Sequence, residues 1–187
     1  MSSRRPRSDR SPKPLGAARL DELALAYVAR FATSKAKLAR YLSRKIAESQ
    51  WVEDRDPAEV CTALALKMER LGFLDDRQYA AMRGGAMTRR GLGVRRVKMQ
   101  LRVDGIAEAD ADAAIAAAEE SATAAALGFA RRRRFGPYAS AASDDPAQRE
   151  RQVAAFVRAG HAPGLARRIL AVVPGDSDAL DDLLAAD

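Results

Sequence analysis

Hydrophobic positions recur at three- and four-residue spacing through most of this chain, which is the period of an α-helix that buries one face. The first run carries Leu20, Leu23, Tyr27, Val28 and Phe31. A second run follows Thr33 and Ser34, which can cap a helix. The apolar side chains are mainly Ala and Leu, and aromatic residues make up only 5% of the chain. Because Ala and Leu favour helices over strands, the pattern predicts an all-α protein.

Capping residues, glycines and prolines divide this pattern into separate helices. Asp56 can cap a helix that begins at Pro57, and Gly72 can end it. An Ala-rich helix carrying Ile115 and Leu127 is predicted in the middle of the chain. The later breaks are predicted at Gly91, Gly93, Gly105 and Gly160, and a new helix is predicted to begin at Pro163.

The helix pairs repeat along the sequence. When the break at Gly91 is aligned with the break at Gly160, Met87 falls on Phe156. The same frame, extended to the first helix pair, aligns Leu42, Leu101 and Leu170. Units of this size cannot bury their apolar faces alone, so three of them are predicted to stack into a solenoid. One irregular helical bundle with coincidental spacing is the alternative.

The helix after Gly93 is apolar on two sides. Val94, Val97 and Leu101 form one stripe, and Met99 and Val103 lie almost opposite. A helix that is apolar on two faces is usually packed between neighbours, so this one is predicted to contact other helices on both sides.

Charge separates the ends of the chain from its middle. The net charge is +7, and residues 1–19 hold six basic residues against one acidic residue. This segment is rich in Pro and Ser and has little to bury, which predicts disorder. The last stretch, by contrast, is acidic. The predicted divisions are a disordered basic tail over residues 1–19, then helical repeats over residues 20–74, 75–130 and 131–187.

The sequence offers few groups for catalysis. His161 is the only histidine and Cys61 the only cysteine, too few for the usual transition-metal site. Cys61 is predicted to pack in a core, and the Asp75–Asp76 pair to start a helix. No phosphate loop of the nucleotide-binding kind is present. The chain is therefore predicted to be neither an enzyme nor a cofactor protein. Since it shows no secretory leader and no apolar run of membrane length, a cytoplasmic location is expected.

Basic side chains on three predicted helices are the candidate binding residues. Arg95, Lys98 and Arg102, on the helix after Gly93, have i, i+3, i+7 spacing and share one stripe. The same spacing occurs earlier in the chain, although the two stripes need not form one surface. Four consecutive arginines, residues 131–134, must point in different directions around a helix and are interpreted as solvated surface. The complete candidate set is Lys37, Arg40, Arg44, Arg89, Arg90, Arg95, Arg96, Lys98 and Arg102.

The middle of the chain resembles the RecX family. Its segments Leu71-Gly-Phe-Leu-Asp-Asp-Arg-Gln-Tyr79, Thr88-Arg-Arg-Gly-Leu-Gly-Val-Arg-Arg-Val97 and Leu101-Arg-Val-Asp-Gly-Ile106 are similar to the central repeat of that family. The pattern runs Gly-Tyr/Phe-Leu-Asp-Asp, then Arg-Gly-x-Gly-x-x-Arg-Ile/Val, then Leu-x-x-x-Gly-Ile. Weaker similarity extends the resemblance to about residues 20–174.

The resemblance implies an elongated, curved molecule of three tandem three-helix repeats. It also implies a monomeric regulator that binds the filament of RecA on single-stranded DNA and restrains its ATPase, strand exchange and coprotease activity in recombination and the SOS response. Weak DNA contact and no cofactor are expected. The alternative is a direct DNA-binding protein of the helix-turn-helix kind, in which Arg95, Arg96 or Lys98 would reach base edges.

Overall fold

The computed structural model describes residues 12–142 and 145–185. Over these residues it contains ten α-helices, one short 3₁₀ helix and a single pair of two-residue strands. The predicted all-α class is therefore confirmed. The chain divides into two compact units between Asp75 and Asp76, and each is described here by itself. The division into three repeats stays a prediction.

Over residues 12–75 the first unit contains three helices and both strands. Ser34 caps the helix Lys35–Ala47 (α2) by accepting a hydrogen bond from the Lys37 backbone N–H at 3.2 Å. Asp56 caps the helix Pro57–Arg70 (α3) by accepting one from the Ala58 N–H at 3.1 Å, and Pro57 occupies the first helical position as predicted. The elements are β1 (Pro14–Leu15), α1 (Ala17–Arg30), α2 (Lys35–Ala47), β2 (Gln50–Trp51) and α3 (Pro57–Arg70).

The core of the first unit forms where these three helices face one another. Leu20, Leu38 and Leu42 have no exposed surface, and Cys61 is buried among them as expected. Phe31, however, was predicted to share the buried face of α1 and is 48% exposed. The helix ends one residue earlier, at Arg30, and the backbone at Phe31 is extended, so Phe31 does not continue the buried face of the helix; its ring lies 5.2 Å from the Tyr27 ring, centre to centre.

The predicted disordered tail over residues 1–19 extends too far. Residues 1–11 lie outside the described part of the chain, but Pro14–Leu15 pairs in parallel with Gln50–Trp51, and α1 begins at Ala17. Leu15 is buried. This one large apolar side chain packs into the core of the first unit and fixes the backbone around it, so the ordered structure begins within the predicted tail.

Over residues 76–142 and 145–185 the second unit contains seven α-helices. Composition alone predicted one continuous Ala-rich helix in its middle, and this was wrong, because the helix breaks at Ser121 into two. Ile115 lies on the first part and Leu127 on the second. The elements are α4 (Asp76–Arg89), α5 (Val94–Val103), α6 (Glu108–Glu120), α7 (Ala122–Arg133), a 3₁₀ turn (Gly136–Tyr138), α8 (Pro146–Ala159), α9 (Pro163–Ala171) and α10 (Ser177–Ala185).

Two apolar clusters form within the second unit, one among α4 to α6 and one among α7 to α10. Met87 and Leu101 are buried in the first, and Phe156 and Leu170 in the second. The positions that the repeat alignment equates are thus buried in both clusters, as is Leu42 in the first unit.

Helix α5 packs on one side only, contrary to the prediction. Val97 and Leu101 are almost completely buried, whereas Met99 and Val103 are 44% and 60% exposed. Within the described residues the second apolar side of this helix therefore remains open to solvent.

A backbone junction joins the α4–α5 turn to the α8–α9 turn. The Gly93 N–H donates to the Ala159 carbonyl at 2.9 Å, and the Arg95 N–H donates to the Gly160 carbonyl at 3.2 Å. The first N–H groups of a helix have no partner inside it, and no side chain caps α5. The opposite turn supplies the missing acceptors. We call this contact the glycine junction.

Both glycines are needed for this close approach. A Cβ atom on Gly93 would lie 2.5 Å from the His161 nitrogen, and one on Gly160 would lie 2.5 Å from the Arg96 nitrogen. Gly160 also has a φ of +96°, which side chains rarely adopt. Any side chain would force the turns apart and break both hydrogen bonds.

Replacing Gly93 with alanine should therefore destabilise the protein by about 2 kcal/mol or more, since overpacking and two lost hydrogen bonds add together. Chemical denaturation followed by circular dichroism measures this change. Gly164→Ala is the matched control. Gly164 lies in α9, where an added Cβ meets nothing within 4 Å, so its replacement should be neutral or slightly stabilising. Equal stability of Gly93→Ala and wild type would contradict the role of the junction.

Candidate partner-binding surface

Helix α5 carries four of the six candidate basic residues of the second unit on its solvent side. Because Val97 and Leu101 point into the core, Arg95, Arg96, Lys98 and Arg102 project outward, and all four are exposed. The stripe formed by Arg95, Lys98 and Arg102, which we call the α5 stripe, therefore lies on a firmly packed helix that begins at the glycine junction.

The stripe is not uniformly cationic. Lys98 forms an ion pair with Glu119 of α6 at 2.8 Å, and about half of each side chain is exposed. For Arg95, Arg96 and Arg102 no acidic side chain lies within salt-bridge distance in the part of the chain that the structure describes. The charge available to a partner is thus carried mainly by the three arginines.

Arg89 and Arg90 lie where α4 ends, and both side chains are exposed. The Arg90 carbonyl accepts a hydrogen bond from the Arg132 guanidinium of α7. A cation at a helix C-terminus stabilises the carbonyl groups left without partners there. The arginine run at residues 131–134 is therefore partly structural, which its sequence did not indicate.

Lys37, Arg40 and Arg44 lie on α2 in the first unit. Arg40 and Arg44 are exposed, and Lys37 is partly buried. The Arg44 Nε lies 3.7 Å from Glu48 Oε1, and the Arg44 Cζ lies 5.7 Å from the centre of the Tyr41 ring. These residues and those of α5 belong to different units, so the structure does not assign them to one surface.

A buried carboxylate fixes the far end of α5. Asp104 accepts hydrogen bonds from the Tyr79 hydroxyl at 3.0 Å and from the Gln100 side chain at 3.1 Å. Arg83 lies 3.5 Å from the same carboxylate. The positive charge of Arg83 thus lies next to this buried acid. The contact ties the end of α5 to α4.

A shallow apolar groove of about 260 Å³ lies beside the α5 stripe. It runs between α5, the beginning of α7 and the α8–α9 turn. Residues far apart in sequence form it, so no motif indicated it. Its lining comprises Val94, Arg95, Lys98, Glu119, Ala122, Gly160, His161, Ala162 and Leu165.

His161 supports the glycine junction from inside. Its ring is buried against Phe129 and Phe156, with ring centres 5.6 Å away in each case. Nε2 lies 3.0 Å from the Gly91 carbonyl oxygen. Because a carbonyl only accepts, Nε2 carries the hydrogen and donates it. Burial lowers the pKa of His161 below its ordinary value, and the nearby Arg132 charge lowers it further against the opposing effect of the Gly91 hydrogen bond.

The chain is similar to a named bacterial protein. The regulatory protein RecX of Myxococcus xanthus (strain DK1622) is 30% identical over 172 residues, covering 88% of this chain and 90% of that protein. This chain belongs to the RecX family. The resemblance seen in the sequence is thereby confirmed.

The fold agrees with the family. A crystal structure of a regulatory protein RecX matches with a TM-score of 0.58 and 21% identity, covering 82% of this chain and 70% of that one. No family model matches the sequence. Among the described helices, none is both long and apolar enough to cross a bilayer. In this RecX-family chain, the two glycines of the Arg-Gly-Leu-Gly motif belong to the turn that forms the junction.

Protonation of His161 should weaken the fold. Because its pKa is lower in the folded chain than in the unfolded one, its contribution to stability is fully present above the ordinary imidazole pKa and declines as the pH falls below it. The melting temperature should fall between about pH 7.5 and about pH 5.5. In His161→Gln, whose amide can donate to the Gly91 carbonyl without titrating, that fall should be smaller. An identical pH dependence of both proteins would refute this role of His161.

Proposed function

We propose that this chain binds the filament that RecA forms on single-stranded DNA and lowers the filament's ATP hydrolysis, strand exchange and coprotease activity. It acts in the cytoplasm as a monomer and by binding, not by catalysis. Membership of the RecX family is the observation that carries the proposal. The exposed arginines of α5 support it, since a nucleoprotein filament offers both acidic protein and phosphate.

The geometry of α5 favours protein docking over sequence-specific DNA reading. A recognition helix places its N-terminal turn in the major groove. Here the backbone of that turn is joined to the α8–α9 turn by the Arg95–Gly160 hydrogen bond. The backbone at the start of α5 is therefore covered by a neighbouring turn, which a helix lying in the major groove would have to accommodate. DNA contact, where it occurs, is expected through exposed arginine side chains on phosphates.

The direct test is ATP hydrolysis by the RecA of the same organism on single-stranded DNA. Adding this protein below equimolar amounts should suppress the rate, since each bound molecule restrains a stretch of filament. Retention of naked duplex should be weak and should fall steeply with salt, because few phosphates are neutralised. An unchanged rate at every ratio would disprove the proposal, and tight sequence-selective duplex binding would favour the DNA-binding alternative.

Reversing the charge of Arg95 and Arg102 together should weaken filament binding about tenfold or more. The two arginines lie seven residues apart on one helix, and among the described residues no acidic side chain pairs with either. Arg151→Glu/Arg158→Glu is the matched control. Those arginines have the same spacing on α8, are also exposed, and give the same change in net charge.

The comparison separates local docking from the overall charge of the protein. Binding is measured by titrating the variants onto filament at fixed ionic strength, and helix content is checked by circular dichroism. If both double variants lose affinity equally, the effect is one of net charge and α5 is not the docking helix.

A further inference from the structure

The apolar groove beside α5 has no role in the fold described so far. We propose, building on the filament binding proposed above, that it receives one apolar side chain from an acidic segment of the partner protein, with a carboxylate of that segment bound by Arg95. The groove would thus anchor a specific point of contact, and the surrounding arginines would orient the partner.

The size and lining of the groove suit a single side chain. Its volume of about 260 Å³ lies below the roughly 300 Å³ at which sites for small molecules begin. Val94, Ala122 and Leu165 give it apolar walls, and each is only partly buried. An aliphatic or aromatic side chain inserted there would be removed from water, and so would the apolar walls that it contacts. Burial of this kind is the main source of affinity at the centre of an interface.

The rim of the groove selects an acidic partner. Arg95 lies at its edge, and no acidic side chain in the described ranges is within salt-bridge distance of its guanidinium. A guanidinium can bind a carboxylate through two parallel hydrogen bonds. On the same edge Lys98 is already paired with Glu119 at 2.8 Å. Arg95 is therefore the cation left to recognise the incoming segment.

The groove is formed before a partner arrives. The Arg95–Gly160 hydrogen bond of 3.2 Å joins its two walls through their backbones. His161 is held beneath by the bond of 3.0 Å to the Gly91 carbonyl. Since neither wall has to be ordered on binding, little conformational entropy is lost there, and a small contact can contribute appreciably.

Nucleic acid suits this groove poorly. Sites for single-stranded DNA combine aromatic side chains, on which bases stack, with a row of cations along the backbone. The lining contains no Phe, Tyr or Trp, and of the two cations at its edge Lys98 is already paired with Glu119, so the groove offers neither a stacking ring nor a row of available cations. A single apolar side chain needs no ring to stack on, and a single carboxylate needs only the guanidinium of Arg95.

Filling the groove tests the proposal. Ala162 lines it, is exposed, and occupies the N-cap of α9 without a capping hydrogen bond. Ala162→Phe should place a ring in the groove and weaken binding to the RecA filament on single-stranded DNA about tenfold or more. The matched control is Ala107→Phe, since Ala107 is likewise an exposed N-cap alanine without a capping bond, at α6 and away from the groove.

A second substitution separates binding from folding. Ala162→Asp provides the missing cap of α9 and also sets a carboxylate beside the groove. It should raise or preserve the melting temperature while weakening filament binding. Ala107→Asp should preserve both properties. Affinity is measured by titration onto filament, and the same titrations are made with naked single-stranded DNA, whose weak binding none of these variants should change.

The outcomes distinguish this inference from the proposed function. If wild type inhibits RecA and both Ala162 variants bind the filament like wild type, the groove proposal is wrong and the proposed function stands. If Ala162→Phe weakens binding to naked DNA as much as to filament, the groove receives a nucleotide and the proposal is also wrong. A wild-type protein that neither binds nor inhibits the filament overturns both.

Discussion

The second unit depends on a contact between two backbones that side chains could not make. At the glycine junction the N–H groups of Gly93 and Arg95 find their acceptors on the α8–α9 turn. Neither turn has room for a Cβ atom at Gly93 or Gly160. One contact therefore completes the hydrogen bonding of α5, sets the distance between two apolar clusters, and places Arg95 at the edge of a groove.

Local signals in the sequence predicted much of the fold. The start of α3 at Asp56 and Pro57 and the helix ends near Gly72 and Gly91 follow from the capping and conformational preferences of those residues alone. The prediction failed where a distant contact decides the structure. Leu15 orders a segment whose composition indicates disorder, because the first unit provides a core for it. The break at Ser121 lets two Ala-rich helices pack in different clusters.

Helical spacing predicted which basic residues share one side of a helix, but not which of them are available to a partner. Spacing placed Arg95, Lys98 and Arg102 on one side of α5, but which cations are available depends on acids elsewhere in the chain. Glu119 pairs with Lys98, and Asp104 engages Arg83 from inside the unit. Equally, the groove is formed by α5, the α6–α7 connection and the α8–α9 turn, whose proximity no single motif encodes. A basic stripe in a sequence thus gives an upper limit to the charge that a partner meets.

The one-sided packing of α5 explains how a single helix can serve both the fold and a partner. A helix sandwiched on both faces would have had to bury Met99 and Val103, which would leave little surface for recognition. With the inner face held by Val97 and Leu101 and the first turn held by backbone bonds, the outer face is rigid without being covered. Rigidity of this kind lowers the conformational entropy lost on docking. A surface that combines arginines with exposed apolar side chains can both orient a partner, through charge, and bind it, through apolar contact.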